Sequence, residues 1–301
     1  MRTLDKPIND VKEEYLAALD IKENSRKVYR KILNYFITWM VMNKVNPSAI
    51  RTADIITYKN YLILKKRSPY YINLTFAVIK QMFKWLQTIG WYDDVGHTIK
   101  VVSTDKRHTK EYLSKEMIVK LLGSIDQETN KGIRDRAVIL LMSVTGIRCV
   151  EASRLTIGDI KTTDNYKTID ILGKGESYKR TLAIPDRVYL SLVNYIDTRP
   201  DPAYTDPLFI GRFGNALTPQ DISVLVKSRM TQAGLTGPKL SAHSLRHSAA
   251  INSLLMGESI YTVQKMLGHK SVSTTEIYLK ALEKERHTDN SAVRALDKAY
   301  M

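Results

Sequence analysis

Apolar residues recur at helical spacing along most of the chain. Between residues 25 and 42, Val28, Ile32, Tyr35, Phe36 and Trp39 stand three or four apart, which marks one buried helix face. Ser25 reads as the N-cap of that helix, and Lys27, Arg30 and Lys31 fall mostly off the stripe. A second helix is predicted over 52–65, with Ile55, Tyr58, Tyr61 and Leu62 inward. A third follows the Ser68-Pro69 break and turns Leu74, Val78, Ile79, Met82, Phe83 and Leu86 inward, with Gly90 past its end. These aromatics predict a small helical core rather than a base-stacking surface. From 91 to 110 the text is polar and mixed without clear periodicity, which predicts a linker. Ser114 then caps a helix over SKEMIVKLLGSI, and RDRAVILLMSVTG reads as a buried helix stopped by Gly146. Strand-like runs over 166–171 and 180–184 flank LGKGESYK, and two further helical segments carry SAHSLRHSAAINSLL and YTVQKMLGHKSVSTTEIYLK. The pattern as a whole gives a mainly α chain with a small β-sheet.

Length and charge narrow this further. A chain of 301 residues suits two domains. With 44% hydrophobic and 26% charged residues it has the composition of a folded protein, which excludes wholesale disorder. Its one cysteine, Cys149, excludes an intramolecular disulfide framework and a Cys-cluster zinc site, and suits a reducing compartment. No apolar run approaches the ~20 residues that cross a bilayer. The start, MRTLDKPINDVKEEY, has acids and no apolar core of the kind a secretory signal carries. A cytoplasmic protein is therefore expected. The net charge of +15 attracts polyanions. It is unevenly spread: residues 1–110 hold 20 Lys and Arg against 10 Asp and Glu, whereas 111–301 hold 26 against 21. Within 22–84 there are 13 basic residues against Glu23 and Asp54 alone, so the first third is the expected footprint on a phosphate backbone. The candidates there are Lys27, Arg30, Lys31, Lys65, Lys66, Arg67, Lys80 and Lys84, although Lys65-Lys66-Arg67 reads equally as a solvated turn.

The second part holds polar residues in a telling order. Arg148 lies between a helix-ending glycine and a new helix, next to an anion-attracting helix N-terminus. Glu151, three residues on, shares its face and can hold the guanidinium. Alone, Arg148 reads as a salt-bridged surface residue. Lys174, between glycines in a turn, suits a mobile lysine reaching into a site, or an exposed hairpin tip. His243 and Arg246 stand three apart at a helix start, where both can reach one phosphate; His247 lies further round and reads as structural. His269 follows the helix-ending Gly268, and Tyr278 comes nine residues later in a helix where a lone tyrosine is ordinarily core packing.

Together, TGIRCVEASRL, LGKGESYKRTLAIP, HSLRHS, LGH and TTEIY resemble the catalytic domain of tyrosine site-specific recombinases, the phage integrase family. The intervening text, LFIGRFGNALTPQDI and AGLTGPKLSAHSLRHS, fits as well, and the chain is Xer-like in size and layout. The departures are small: Ile147 where leucine or methionine is commoner, Ser244 where an acid often stands, and Cys149 beside the arginine, a small packing residue. The resemblance implies a helical core-binding domain over 1–92, an interdomain linker over 93–111, an α+β tyrosine recombinase catalytic domain over 112–285, and a tail over 286–301 that docks on a neighbouring protomer. At this length no separate arm-binding domain is expected.

What the resemblance implies agrees with the residue chemistry. Tyr278 would attack a DNA phosphodiester, leaving a 3′-phosphotyrosyl link and a free 5′-hydroxyl. Arg148 and Arg246 would clamp the nonbridging oxygens, His269 would add a hydrogen bond, and Lys174 would protonate the departing oxygen. His243 would accept or orient the tyrosine proton, with Glu151 in support. No metal is expected, because the cations already supply the neutralising charge. No nucleotide cofactor is expected either, since the phosphotyrosyl bond stores the energy; GKGES over 173–177 is not a P-loop. The implied partners are double-stranded DNA with paired sites, a homotetramer on that DNA, and an accessory DNA-bending or regulatory protein, in the nucleoid of a prokaryotic cell and away from any membrane. Two other functions fit parts of the pattern. A type IB topoisomerase shares the cleavage chemistry, and a catalytically inactive DNA-binding relative would share the fold.

Overall fold

Helix signals in the first hundred residues fold into a four-helix unit. The computed structural model describes residues 6–103, 111–163, 165–173 and 176–285. These fall into two compact units, one within 1–106 and the other within 107–301. Among the described residues no helix is long and apolar enough to cross a membrane.

In the first unit, α1 (Ile8–Ala18), α2 (Glu23–Met42), α3 (Thr52–Leu64) and α4 (Pro69–Thr88) enclose one core. The apolar face of α2 differs from the expected stripe. Ile32, Leu33, Phe36, Ile37, Trp39 and Met40 are buried, whereas Val28 and Tyr35 are about half exposed. The cause is α1, which packs on α2 and gives it a second contact side. There the buried Lys12 donates from Nζ to Asn34 Oδ1 at 2.7 Å, tying the two helices. Ser25 is not the cap either. The helix starts three residues earlier with Lys22 at the N-cap position, and Glu23 pairs with Arg26 in the first turn. Ile55, Tyr58 and Leu62 point inward on α3, but Tyr61 is exposed. Ser68 Oγ accepts the Tyr71 N–H and Pro69 occupies the first turn, so α4 begins where expected. Phe36, Trp39 and Tyr58 lie with Phe36–Tyr58 and Trp39–Tyr58 centroids 5.0 Å apart, a packed core rather than a stacking platform.

Much of the expected linker is part of this unit. Val95 and Ile99 are buried with Tyr92 in the same core, and Val102 packs against it. Tyr92 Oη donates to Ile50 O at 2.7 Å, Thr52 Oγ1 to Val95 O at 3.0 Å, and Asn73 exchanges two hydrogen bonds with Val102. Tyr92, Val95, Ile99 and Val102 dock from turns and irregular backbone rather than from a helix, so no helical periodicity marks them in the sequence. The stretch over 104–110 lies outside the described residues.

The second unit is built around α6 (Asn130–Thr145), whose 137–142 run is buried on every side. Thr129 caps its start, and Gly146 ends it with φ +64°. A side chain there would be strained by that φ, and its Cβ would lie 2.5 Å from Leu267 Cδ2. Helix α5 (Lys115–Gly123) begins at the Ser114 cap, and the single turn α7 (Cys149–Ala152) follows Arg148. Three antiparallel strands come next in the order β1 (Ile160–Thr162), β2 (Lys167–Leu172), β3 (Lys179–Ala183). Ile169 and Ile171 face the core and pair with Leu182 and Arg180 of β3. The outer strand β1 and the helices α8 (Asp186–Ile196) and α9 (Pro219–Gln232) add to the expected elements. The unit closes with α10 (Ala242–Leu255), α11 (Ile260–Leu267) and α12 (Ser273–Glu285). Their side chains form a second small core of Ala250, Ile251, Leu254, Val263, Leu267, Tyr278 and Leu282.

Candidate active site

Four helix termini in the second unit converge on one place: the end of α6, the start of α10, the end of α11 and the first turns of α12. The glycines make this convergence possible. Gly146 and Gly268 both sit at positive φ, so two helices end abruptly with Arg148 and His269 just beyond.

Arg246 joins these ends. Its Nη1 donates to Gly146 O at 2.6 Å and its Nη2 to Leu267 O at 2.9 Å, and the residue is 2% exposed. Burial and the nearby Arg148 cation push its pKa down to about 10, so it stays charged at neutral pH. Arg148 is held differently. Its backbone N–H donates to Glu151 Oε2 at 2.9 Å and its Nη1 to Oε1 at 2.8 Å, so one buried carboxylate fixes both ends of the residue. The expected support of Arg148 by Glu151 is thus a direct contact. Ser244, where an acid often stands, accepts the Ser241 N–H and so caps α10 in the same manner.

Tyr278 is 4% exposed, and its hydroxyl lies 3.0 Å from His247 Nδ1. Burial raises its pKa, while Arg246, by charge and hydrogen bond, and Arg148 oppose the rise. The histidine at the hydroxyl is therefore His247, the neighbour of Arg246 that sequence reasoning set aside as structural. His243 is exposed on the first turn of α10 and meets the His247 ring edge-on, with centroids 4.7 Å apart. Residues 243 and 247 are four apart, one helical turn, and that spacing was the signal available.

His269 lies parallel to the Tyr278 ring at 6.4 Å, and its Nδ1 is 2.8 Å from Thr275 Oγ1. When the Thr275 hydroxyl donates there, Nε2 carries the ring proton and is a donor. Burial, then Arg246 and Arg148, push its pKa down from 6.5 to about 4. The sign of the resulting pH dependence follows directly. Between about pH 4 and 6.5 the unfolded chain binds the proton that the folded chain refuses, so this contribution to stability is complete above 6.5 and lost as pH falls towards 4. Urea midpoints measured from about pH 7 to about pH 4.5 are expected to drop more steeply for the wild type than for His269→Gln. Parallel curves would show that His269 is not the group responsible.

Lys174 lies outside the described residues, in the connection between β2 and β3. The expected DNA-contact residues all belong to the first unit. Lys27 and Lys31 are exposed on α2, and Lys65, Lys66 and Arg67 form the exposed turn before α4. On α4 itself Lys84 is exposed and Lys80 half-buried. Arg30 is already paired with Glu13 at 3.0 Å, which counters its charge. Lys31, Lys65 and Arg67 each lie over a tyrosine ring, those of Tyr35, Tyr61 and Tyr71, at 5.7–5.9 Å.

Comparison with known proteins fits this arrangement. The chain matches the sequence model of the phage integrase family over residues 111–285, and that of the phage integrase N-terminal SAM-like domain over 9–93. Tyrosine recombinase XerA of Pyrococcus furiosus is 30% identical over 290 residues, covering 95% of this chain and 94% of that protein. Tyrosine recombinase XerD of Listeria monocytogenes is 28% identical over 285 residues, covering 90% and 94%. Among solved structures, the XerH site-specific recombinase bound to palindromic difH substrate, a post-cleavage complex, aligns with a TM-score of 0.73 at 22% identity. That alignment covers 94% of this chain and 84% of that chain. A lambda integrase(75-356) dimer bound to a COC' core site aligns at 0.69 and 17% identity, covering 89% and 96%. At these identities the structures establish a shared fold.

Proposed function

Because the chain belongs to the phage integrase family and is a tyrosine recombinase, cleaving and rejoining DNA at specific sites by phosphoryl transfer, we propose that Tyr278 is its nucleophile. The observation that carries this is the meeting of one tyrosine with Arg246, Arg148 and two histidines. In the reaction the Tyr278 oxygen bonds to phosphorus while the bond to the 5′-oxygen breaks. The products are a 3′-phosphotyrosyl link and a free 5′-hydroxyl. Negative charge gathers on the nonbridging oxygens, and Arg148 and Arg246 neutralise it with preorganised donors. His269, neutral above about pH 4, donates from Nε2. Lys174 protonates the departing 5′-oxygen. The tyrosine proton leaves towards the histidine pair, His247 at the hydroxyl and His243 behind it.

Since Tyr278 and Arg246 are both nearly inaccessible, α12 shifts when DNA is engaged. The basic face of the first unit holds the duplex through phosphate contacts, which position without reading sequence. Four copies assemble on paired sites, helped by an accessory DNA-bending or regulatory protein, in the cytoplasm of a prokaryotic cell. The tail over 286–301, outside the described residues, docks on the neighbouring protomer. Deletion of 288–301 is expected to weaken cooperative assembly in a gel-shift titration, and unchanged assembly would remove the tail from this account.

Mapping the covalent adduct tests the central assignment. Full-length protein is mixed with duplex carrying a nick beside the scissile phosphate, digested, and its nucleotide-linked peptide sequenced. The linkage is expected on Tyr278. A linkage on any other residue overturns the assignment.

A further inference from the structure

The β2–β3 hairpin carries a charge on the wrong face. Along β3, Arg180 alternates in step with Leu182 and then Ile184, the positions that face the core, whereas Lys179, Thr181 and Ala183 are exposed. Its strand partner Ile171 is fully buried. The pattern calls for an aliphatic residue there, because a guanidinium on an inner sheet face costs desolvation unless it is paired.

Arg180 reaches the active site from behind. Its Nη2 lies 3.6 Å from Glu151 Oε2, on the carboxylate whose Oε1 accepts from Arg148. The side chain is 20% exposed, yet its Nε and Nη2 are buried without a hydrogen-bond acceptor among the described residues. The guanidinium also lies under the turn that presents His269. A Cβ on Gly268 would stand 2.9 Å from Arg180 Cζ and 3.0 Å from Nε. One side chain thus touches Glu151, which anchors the first arginine, and the Gly268 turn, which carries the histidine.

We propose that Arg180 is a positioning residue of the active site: it fastens the turn-proximal end of β3 to Glu151 and to the Gly268–His269 turn. Strand β3 and the arginine clamp are then held in one register. This rests on the recombinase reading of the site. Arg180 acts through Glu151 and the turn, and it needs no contact with the scissile phosphate. Its cation also adds to those that keep His269 neutral and that lower Arg246. Holding Glu151 from both sides is what keeps a buried carboxylate from swinging when Arg148 turns to a phosphate.

The test uses the full chain and a nicked duplex carrying the DNA sequence enriched by the Tyr278→Phe protein. Arg180→Ala is expected to bind that duplex within about threefold of wild type but to form covalent complex roughly 100-fold more slowly, the loss that a misplacement of about 1 Å brings. Arg180→Lys, which keeps a cation facing Glu151 though one bond shorter, is expected to recover about tenfold of that loss. In a Glu151→Gln background, Arg180→Ala is expected to cost less than about fivefold, because the two residues act through one contact. Capture by Arg180→Ala at wild-type speed overturns the assignment, as does Lys being no faster than Ala. Full additivity with Glu151→Gln overturns it too. Unfolding midpoints are taken on every variant, and slow capture that merely tracks lost folded protein also overturns it. Absence of capture by the wild type itself strikes instead at the recombinase reading.

Discussion

Tyr278→Phe is expected to abolish covalent capture on nicked site DNA, by roughly 10⁴-fold or more, while binding stays within about threefold of wild type. The split follows from where the side chain sits. Its ring packs among Ile251, Leu254, Val263, Leu267 and Leu282, and phenylalanine fills the same space. Only the hydroxyl is lost, and with it the contact to His247 at 3.0 Å and the hydrogen bond from Arg246. Hydrogen bonds of that kind contribute about 1 kcal/mol net each, and a buried partner left unsatisfied costs about 1–3 kcal/mol, so the unfolding free energy is expected to fall by about 1–3 kcal/mol. Chemistry and fold are separable at this residue because the attacking oxygen is peripheral to the packing. Denaturation curves alongside a capture time course check both halves. Equal capture by wild type and variant would move the nucleophile elsewhere.

Arg246→Lys is expected to fail on both counts. The guanidinium spans two carbonyls that belong to different helix ends, Gly146 O and Leu267 O, and a lysine cannot reproduce that planar fork. At least one buried carbonyl would lose its partner, at about 1–3 kcal/mol each. The substitution should therefore lower the unfolding free energy by about 2–4 kcal/mol, and capture by about 100-fold or more. Urea denaturation at neutral pH reads the first effect and capture on nicked duplex the second. A wild-type midpoint would mean that the two carbonyl contacts do not hold the helix ends together.

Punctuation made much of this fold legible in the sequence. Ser68-Pro69, Ser114, Gly146 and Gly268 each mark a boundary that local chemistry dictates, and the helices beside them begin or end there. What tertiary contact decides was less visible. The face of α2 depends on α1, whose own short pattern of Val11, Tyr15 and Leu16 is easily lost in a charged N-terminus. Residues 93–103 carry too few apolar positions to announce themselves, yet Val95, Ile99 and Val102 dock while Val101 stays exposed. At the site, motif order made Arg148, Glu151, Arg246, His269 and Tyr278 stand out, and the fold brings these side chains together. Their partners were not readable that way. His243 and His247 differ by one turn, and no spacing argument says which ring meets a tyrosine 31 residues further on. Arg180 was visible in principle as a charge in an aliphatic register, but a five-residue strand gives that signal little weight.

The pair of hydrogen bonds from Arg246 to two helix ends also bears on how such a chain ages. Tyrosine becomes phenylalanine through one base change, and here that change leaves the packing intact. The arginine has no such exit, since losing it loosens three helices at once. Descendants that keep the grip on DNA but abandon cutting should therefore shed the tyrosine early and retain the arginine long after its chemistry has lapsed. In this lineage an intact arginine would testify to folding, and only the tyrosine to a living enzyme.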